Sequence, residues 1–117
     1  MSRQDTTARR RAALCEEALE LIVREHASAL TLSGVARRIA TSDRQLQRAL
    51  AEAGGTTFRD ALTKARMDHA RELLRGEPDT SVREVALRVG YEHPAQFAKA
   101  FRRYHGMTPT DCRAGAG

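Results

Sequence analysis

Residues 85–101 read Val-Ala-Leu-Arg-Val-Gly-Tyr-Glu-His-Pro-Ala-Gln-Phe-Ala-Lys-Ala-Phe, and the chain carries this pattern twice. Upstream, residues 35–40 read Val-Ala-Arg-Arg-Ile-Ala against Val-Ala-Leu-Arg-Val-Gly at 85–90. Residues 45–50 read Gln-Leu-Gln-Arg-Ala-Leu against Gln-Phe-Ala-Lys-Ala-Phe at 96–101. Each copy is a short apolar-faced helix, a tight polar connection, and a second helix bearing Gln and a cation. The second connection is longer by one residue. A short helix, a brief turn and a second basic helix make a helix-turn-helix. The first turn has Ala40 where the second has Gly90, so its backbone is expected to avoid positive φ there.

Helical geometry assigns the faces of the two second helices. At about 100° per residue, Leu46, Leu50 and Ala53 fall on one side of the first, with Arg44 and Arg48 nearly opposite and Gln45 and Gln47 on the flanks. On the second, Phe97, Ala100, Phe101 and part of Tyr104 turn inward, leaving Ala95, Lys99 and Arg102 outward. Gln96 takes a flank, and Arg103 lies nearby. Arg pairs bidentately with guanine O6 and N7, and Gln with adenine N6 and N7, so both outer faces suit the major groove. Any one of these residues read singly is a solvated surface side chain. Two matching units in one short chain weigh against that reading.

Working outward, residues 1–10 form a basic N-terminal arm, expected to be frayed. From Ala12 an apolar stripe of Leu14, Ala18, Leu21 and Ile22, with Cys15 inside it, marks a helix that stops near residues 26–28. Thr31 is an N-cap, followed by a helix with Val35, Ala36 and Ile39 on its inner face. Ser42 is the next N-cap, with Gln45 completing a capping-box pattern, and this helix ends at Gly54-Gly55. Thr57 opens the longest pattern, Phe58 to Arg75, with Phe58, Leu62, Ala65, Leu73 and Leu74 inward. Gly76-Glu77-Pro78-Asp79 breaks it. Ser81 caps a helix with Val82, Val85, Ala86 and Val89 inside, Pro94 opens the next, and Thr108-Pro109 begins a last short turn. No strand-like alternation occurs. The fold class is all-α, with about seven helices forming two helix-turn-helix subdomains, about 31–53 and 81–105. A long central helix at about 57–75 joins them, inside one domain over 11–117.

Composition narrows the partner. The 117 residues fit one domain, and the formal net charge is +5, with Lys only at Lys64 and Lys99. A basic balance is the electrostatic footprint of a polyanion, because each phosphate neutralised releases condensed counterions. Arg-rich composition alone is the plainer source of such charge. Cys15 and Cys112 cannot make a paired CxxC zinc site, and nothing points to a secreted disulfide framework. There is no 18-residue apolar run and no apolar segment at the start, so no membrane association is expected, and the expected compartment is the cytoplasm.

At this point the residues carry a family resemblance. Residues 42–48, Ser-Asp-Arg-Gln-Leu-Gln-Arg, resemble the first recognition helix of the AraC/XylS family of transcription regulators. Residues 66–74, Arg-Met-Asp-His-Ala-Arg-Glu-Leu-Leu, are similar to that family's linker helix. Residues 85–91, then Gln96-Phe97, Phe101-Arg102-Arg103 and Gly106-Met107-Thr108-Pro109, resemble its C-terminal signature. The resemblance covers about residues 10 to 113. It implies a recognition helix from each subdomain entering successive major grooves on one DNA face, and activation of transcription through RNA polymerase. It also implies either a stand-alone arrangement of the MarA/SoxS/Rob type or the DNA-binding part of a larger regulator. Carried over by position, Arg44, Gln45 and Arg48 are the base contacts of the first unit, and Ala95, Gln96 and Lys99 occupy the matching face of the second. The chain departs from the family where Pro94 and Ala95 replace polar residues; Ala95 offers a thymine-methyl contact instead of a hydrogen bond.

Thr31, Ser42, Gln47, Arg102 and Arg103 are the candidate phosphate contacts, since helix-opening NH groups, hydroxyls and guanidiniums favour anions. Arg37, Arg38 and Arg88 are further candidates. A linker of about 18 residues spans roughly 27 Å, against about 34 Å between successive grooves, so either the DNA bends toward the protein or the recognition helices splay. Two units in one chain allow a monomer to occupy an asymmetric duplex site. An enzyme is the main rival class, yet Glu16, Glu17 and Glu20 lie on a polar helix face, and His26, His69, His93 and His105 have no ligand spacing. No catalytic residue, metal or cofactor is expected. The domain could instead serve a DNA-repair enzyme, or act as a polymerase-interacting module.

Overall fold

The computed structural model describes residues 3–115; Met1 and Ser2 of the expected arm, and Ala116 and Gly117, lie outside them. The described residues form seven helices and no strand: α1 (Arg3–Glu25), α2 (Leu32–Arg38), α3 (Asp43–Gly54), α4 (Phe58–Gly76), α5 (Val82–Arg88), α6 (Pro94–His105) and α7 (Pro109–Arg113). They divide into two compact units, the first holding α1 and residues 30–62, the second holding residues 26–29 and 63 onward.

Hydroxyl caps set where the helices begin. The side chains of Thr31, Ser42, Ser81 and Thr108 each accept from the N–H three residues on, at Gly34, Gln45, Glu84 and Asp111. Thr57 does the same for Asp60. Each bond satisfies one of the donors that a helix start leaves without an intrahelical partner. The helix α6 has no side-chain cap, and Pro94 at its first turn removes one of those donors instead. Left-handed glycines close α3 at Gly55 and α6 at Gly106.

In the first unit Cys15, Ala18 and Leu21 of α1 pack with Val35 and Ala36 of α2 and Leu46, Ala49 and Leu50 of α3, flanked by Leu14, Ile39 and Phe58. Ala53, expected inside α3, is exposed, and Ala49 takes the buried place. The last turn of α3 borders an open groove with Arg3, Thr7 and Ala8 of α1, so a side chain there meets solvent. The largest departure is in α1, which is helical from Arg3 and not frayed to Ala12. Residues 3–11 lack an apolar stripe. Their helix is held by an acidic Asp5 in the first turn, a Thr7 hydroxyl bond to the carbonyl of Arg3 at 3.0 Å, and an ion pair from Arg11 to Glu52 of α3.

The second unit is built on Met67, Ala70, Leu73 and Leu74 of α4, with Val85, Ala86, Val89, Phe97, Phe101 and Cys112. Leu62 and Ala65, expected inward, are only partly buried, while Met67 and Ala70 carry the seam. That seam packs in one core with the aromatic pair Phe97–Phe101, whose ring centroids lie 5.7 Å apart. Both cysteines are buried and free, and burial pushes the Cys15 thiol above its ordinary pKa. No helix among the described residues is long and apolar enough to cross a membrane.

Candidate nucleic-acid interface

The duplication seen in the sequence extends to the hydrogen bonds of the two turns. In the first, Ala40 N–H bonds Arg37 O at 3.2 Å and Thr41 N–H bonds Ala36 O at 2.9 Å. In the second, Gly90 N–H bonds Leu87 O at 3.1 Å and Tyr91 N–H bonds Ala86 O at 2.9 Å. The long bond back to the fifth preceding residue requires a left-handed residue between the helix end and the donor. Gly90 meets this at φ 100° and Ala40 at φ 57°. Ala40 therefore does not avoid positive φ: the turn's bonding imposes the conformation on an L-residue that disfavours it.

From each turn a helix presents its polar strip outward. On α3, Leu46, Ala49 and Leu50 are buried, while Arg44, Gln45, Gln47 and Arg48 are exposed. On α6, Phe97 and Phe101 are buried, and Ala95, Gln96, Lys99, Arg102 and Arg103 are exposed. Tyr104 is 42% exposed, its ring edge against His105. Within each unit, the expected base-reading residues share an outer strip.

Gln45 differs from the expected capping box. Ser42 accepts from the Gln45 N–H, but the Gln45 side chain does not reach back; its Oε1 accepts from the Thr41 hydroxyl at 2.9 Å. Thr41 was missed in the sequence because it is an isolated Thr in a turn. It fixes the orientation of the amide and leaves the Nε2 donors and one Oε1 lone pair outward.

Ion pairs separate the surface arginines into two sets. Arg38 pairs with Glu25 at 2.6 Å and Arg88 with Glu77 at 2.9 Å. Each carboxylate is held below its usual pKa by its guanidinium, and each guanidinium is raised in return. These two expected phosphate contacts are already neutralised within the protein. Among the described residues no carboxylate pairs with Arg37, Arg44, Arg48, Lys99, Arg102 or Arg103. Unpaired positive charge is therefore present along α3 and α6, while the helices that precede them keep Arg37 and Arg83 unpaired and have Arg38 and Arg88 neutralised.

The second unit also contains a support that sequence reasoning did not isolate. Arg66 donates from Nε to His26 O at 2.8 Å and from its terminal nitrogen to Ser28 O at 3.1 Å, with its guanidinium 5.6 Å from the Tyr91 ring centroid. Burial lowers its pKa. A Cβ on Gly90 would lie 3.0 Å from His26 O and 3.1 Å from Arg66 Nε, so glycine here serves close packing as well as φ. The only advance signal was the place of Arg66 inside the linker-helix motif. Beside it, His26 Nε2 lies 2.8 Å from His69 Nδ1, and His69 is pushed below its ordinary pKa by burial and by His26. No three His, Cys, Asp or Glu side chains among the described residues could jointly hold a metal ion.

Residues 35–115 match the family described as "Helix-turn-helix domain". The transcriptional regulator GlxA of Rhizobium meliloti (strain 1021) is 38% identical over 88 residues, covering 75% of this chain and 27% of GlxA. This chain thus spans about a quarter of that regulator's length. The C-terminal domain of AraT, a response regulator from Geobacillus stearothermophilus, aligns with TM-score 0.83 and 32% identity over 87% of this chain and 84% of that one. The DNA-binding domain of AdpA, a global transcriptional factor solved with a target DNA, aligns with TM-score 0.79 and 28% identity, over 86% and 90% of the two chains. GlxA is a transcriptional regulator, AraT a response regulator and AdpA a global transcriptional factor. Two turns with the same bonding, each followed by a helix with an outward cationic strip, agree with the matched family across most of the chain: it belongs to the AraC-type helix-turn-helix DNA-binding domains.

Proposed function

We propose that this domain is a sequence-specific, double-stranded DNA-binding transcription regulator that places α3 and α6 in successive major grooves on one face of the duplex. The observation that supports it is that the outer strips of α3 and α6 carry Arg44, Arg48, Lys99, Arg102 and Arg103, which have no carboxylate partner among the described residues, while Arg38 and Arg88 of the preceding helices are spent on carboxylates. In the first unit Arg44 and Arg48 read guanine through O6 and N7, and Gln45, oriented by Thr41, reads adenine. In the second, Gln96 and Lys99 supply the polar contacts, and Ala95 meets a thymine methyl. Thr31, Ser42, Gln47, Arg102 and Arg103 hold backbone phosphates and set the register. The domain works in the cytoplasm, binds as a monomer, and activates transcription by contact with RNA polymerase.

GlxA carries its matched region within a longer chain, which favours a second reading of the same chemistry, the DNA-reading part of a larger regulator. Both readings are tested by selecting bound sequences from random duplexes with wild type, Arg44→Ala and Lys99→Ala. Each variant should lose preference at its own few base pairs, one set per unit, by about 1–3 kcal/mol per bidentate contact. Equal weakening on all sequences would make both residues phosphate contacts.

A further inference from the structure

The helical start of α1 creates a feature beside the recognition helix of the first unit. Thr7, Arg10, Arg11 and Leu14 recur at three- and four-residue spacing, so they share one face of α1. With Thr6 they line a cleft of about 220 Å³ whose other wall is Gln45 and Arg48 of α3. Leu14 supplies an apolar wall, and no carboxylate lines the cleft. Arg11 is drawn to Glu52, and the Thr7 hydroxyl is donated to the Arg3 carbonyl. That leaves the guanidiniums of Arg10 and Arg48 as charges without a carboxylate partner among the described residues. Two uncompensated cations facing one cleft repel each other, and an anion between them removes that repulsion while accepting from both.

We propose that this cleft is a clamp for a single backbone phosphate of the duplex, gripped by Arg10 from α1 and Arg48 from α3, at the edge of the groove that α3 enters. The assignment rests on the duplex-binding reading above and adds α1 to the DNA-contacting elements. Arg48 lies both on the outer strip of α3 and in the cleft wall, so it joins base reading to phosphate holding. Arg10 is the cleft's own contribution and makes no base contact.

The test is salt-dependent binding to a selected duplex by wild type, Arg10→Gln and Arg9→Gln. Arg9 is exposed on the same helix but does not line the cleft, so its loss removes equal charge without the site. Losing one phosphate contact lowers the slope of log affinity against log salt by about 0.9. For Arg10→Gln, the deficit relative to wild type should thus be about 3.5-fold larger at about 50 mM than at about 200 mM salt. Base preference should stay as in wild type, and Arg9→Gln should change the slope by less than half as much. The clamp is overturned if Arg10→Gln keeps the wild-type slope, if Arg9→Gln matches it, or if Arg10→Gln alters base preference. Inorganic phosphate at constant ionic strength that stabilises the DNA-free wild type but not Arg10→Gln would support the clamp, since its oxygens offer the two guanidiniums the same acceptors as a backbone phosphate. Selective, salt-dependent binding by wild type throughout these failures leaves the duplex-binding reading standing; its absence in wild type removes that reading and the clamp together.

Discussion

Ala40 and Gly90 occupy the same place in two turns of the same bonding, yet substituting one toward the other should have opposite effects. An L-residue in the left-handed region costs about 1–2 kcal/mol, and Ala40, exposed at φ 57°, bears that cost with no packing to lose. Ala40→Gly relieves it but gives the unfolded chain about 0.4–1 kcal/mol more conformational entropy. The net is a gain of about 0.5–1 kcal/mol, or roughly 2–6 °C in Tm for a domain near this size. Gly90→Ala meets a harsher site. Its φ of 100° lies beyond the left-handed well, and the new Cβ would sit 3.0 Å from the carbonyl oxygen of His26. Backbone strain and overpacking each cost about 1–3 kcal/mol, so a loss of about 2–6 kcal/mol is expected. Urea and thermal unfolding followed by circular dichroism read both variants, with equal m-values confirming that the same transition is compared. A destabilised Ala40→Gly, or a neutral Gly90→Ala, would refute the claim that the shared bonding dictates φ in both turns.

Other expected outcomes follow from single contacts. Phe97→Ala empties the centre of the second core and should cost about 3–5 kcal/mol, measured by denaturant unfolding. Ser42→Ala removes the cap of α3 and should cost about 1 kcal/mol, while Ser42→Asp largely restores it. The pKa of His69 is held below its unfolded value by burial, His26 and Arg88, against the pull of Glu72 and Glu77. The unfolded chain therefore binds more protons as pH falls below about 6.5, and Tm should drop across that window. The 2.8 Å contact between the two rings accommodates one shared N–H, so His69→Gln should flatten the dependence; an unchanged pH profile in that variant would count against it.

Much of this fold was legible because periodicity and caps are local. The stripes of α2, α3, α5 and α6, the caps Thr31, Ser42 and Ser81, and the Pro94 start all follow from residues within one or two turns of each other. What escaped depended on distant partners. The start of α1 is polar and reads as a loose arm until Glu52, on another helix, is seen to hold Arg11. Arg38 and Arg88 look like free cations because Glu25 and Glu77 lie 13 and 11 residues away. The choice of Ala49 over Ala53, and of Met67 and Ala70 over Leu62 and Ala65, turns on which flank of a stripe a neighbouring element covers. In the candidate interface, the outward residues of α3 and α6 were readable from a helical wheel. The Thr41 brace on Gln45 and the cleft between Arg10 and Arg48 needed coordinates.

The central claim is that both helices read the same duplex, and guanine-N7 methylation interference on a selected site measures this directly. Two patches of interfering guanines about one helical turn apart, on one face of the DNA, are expected. Arg44→Ala should erase guanines from one patch, and Lys99→Ala guanines from the other. A single patch that both substitutions weaken alike, or interference spread evenly along the duplex, would contradict a reader with two recognition helices.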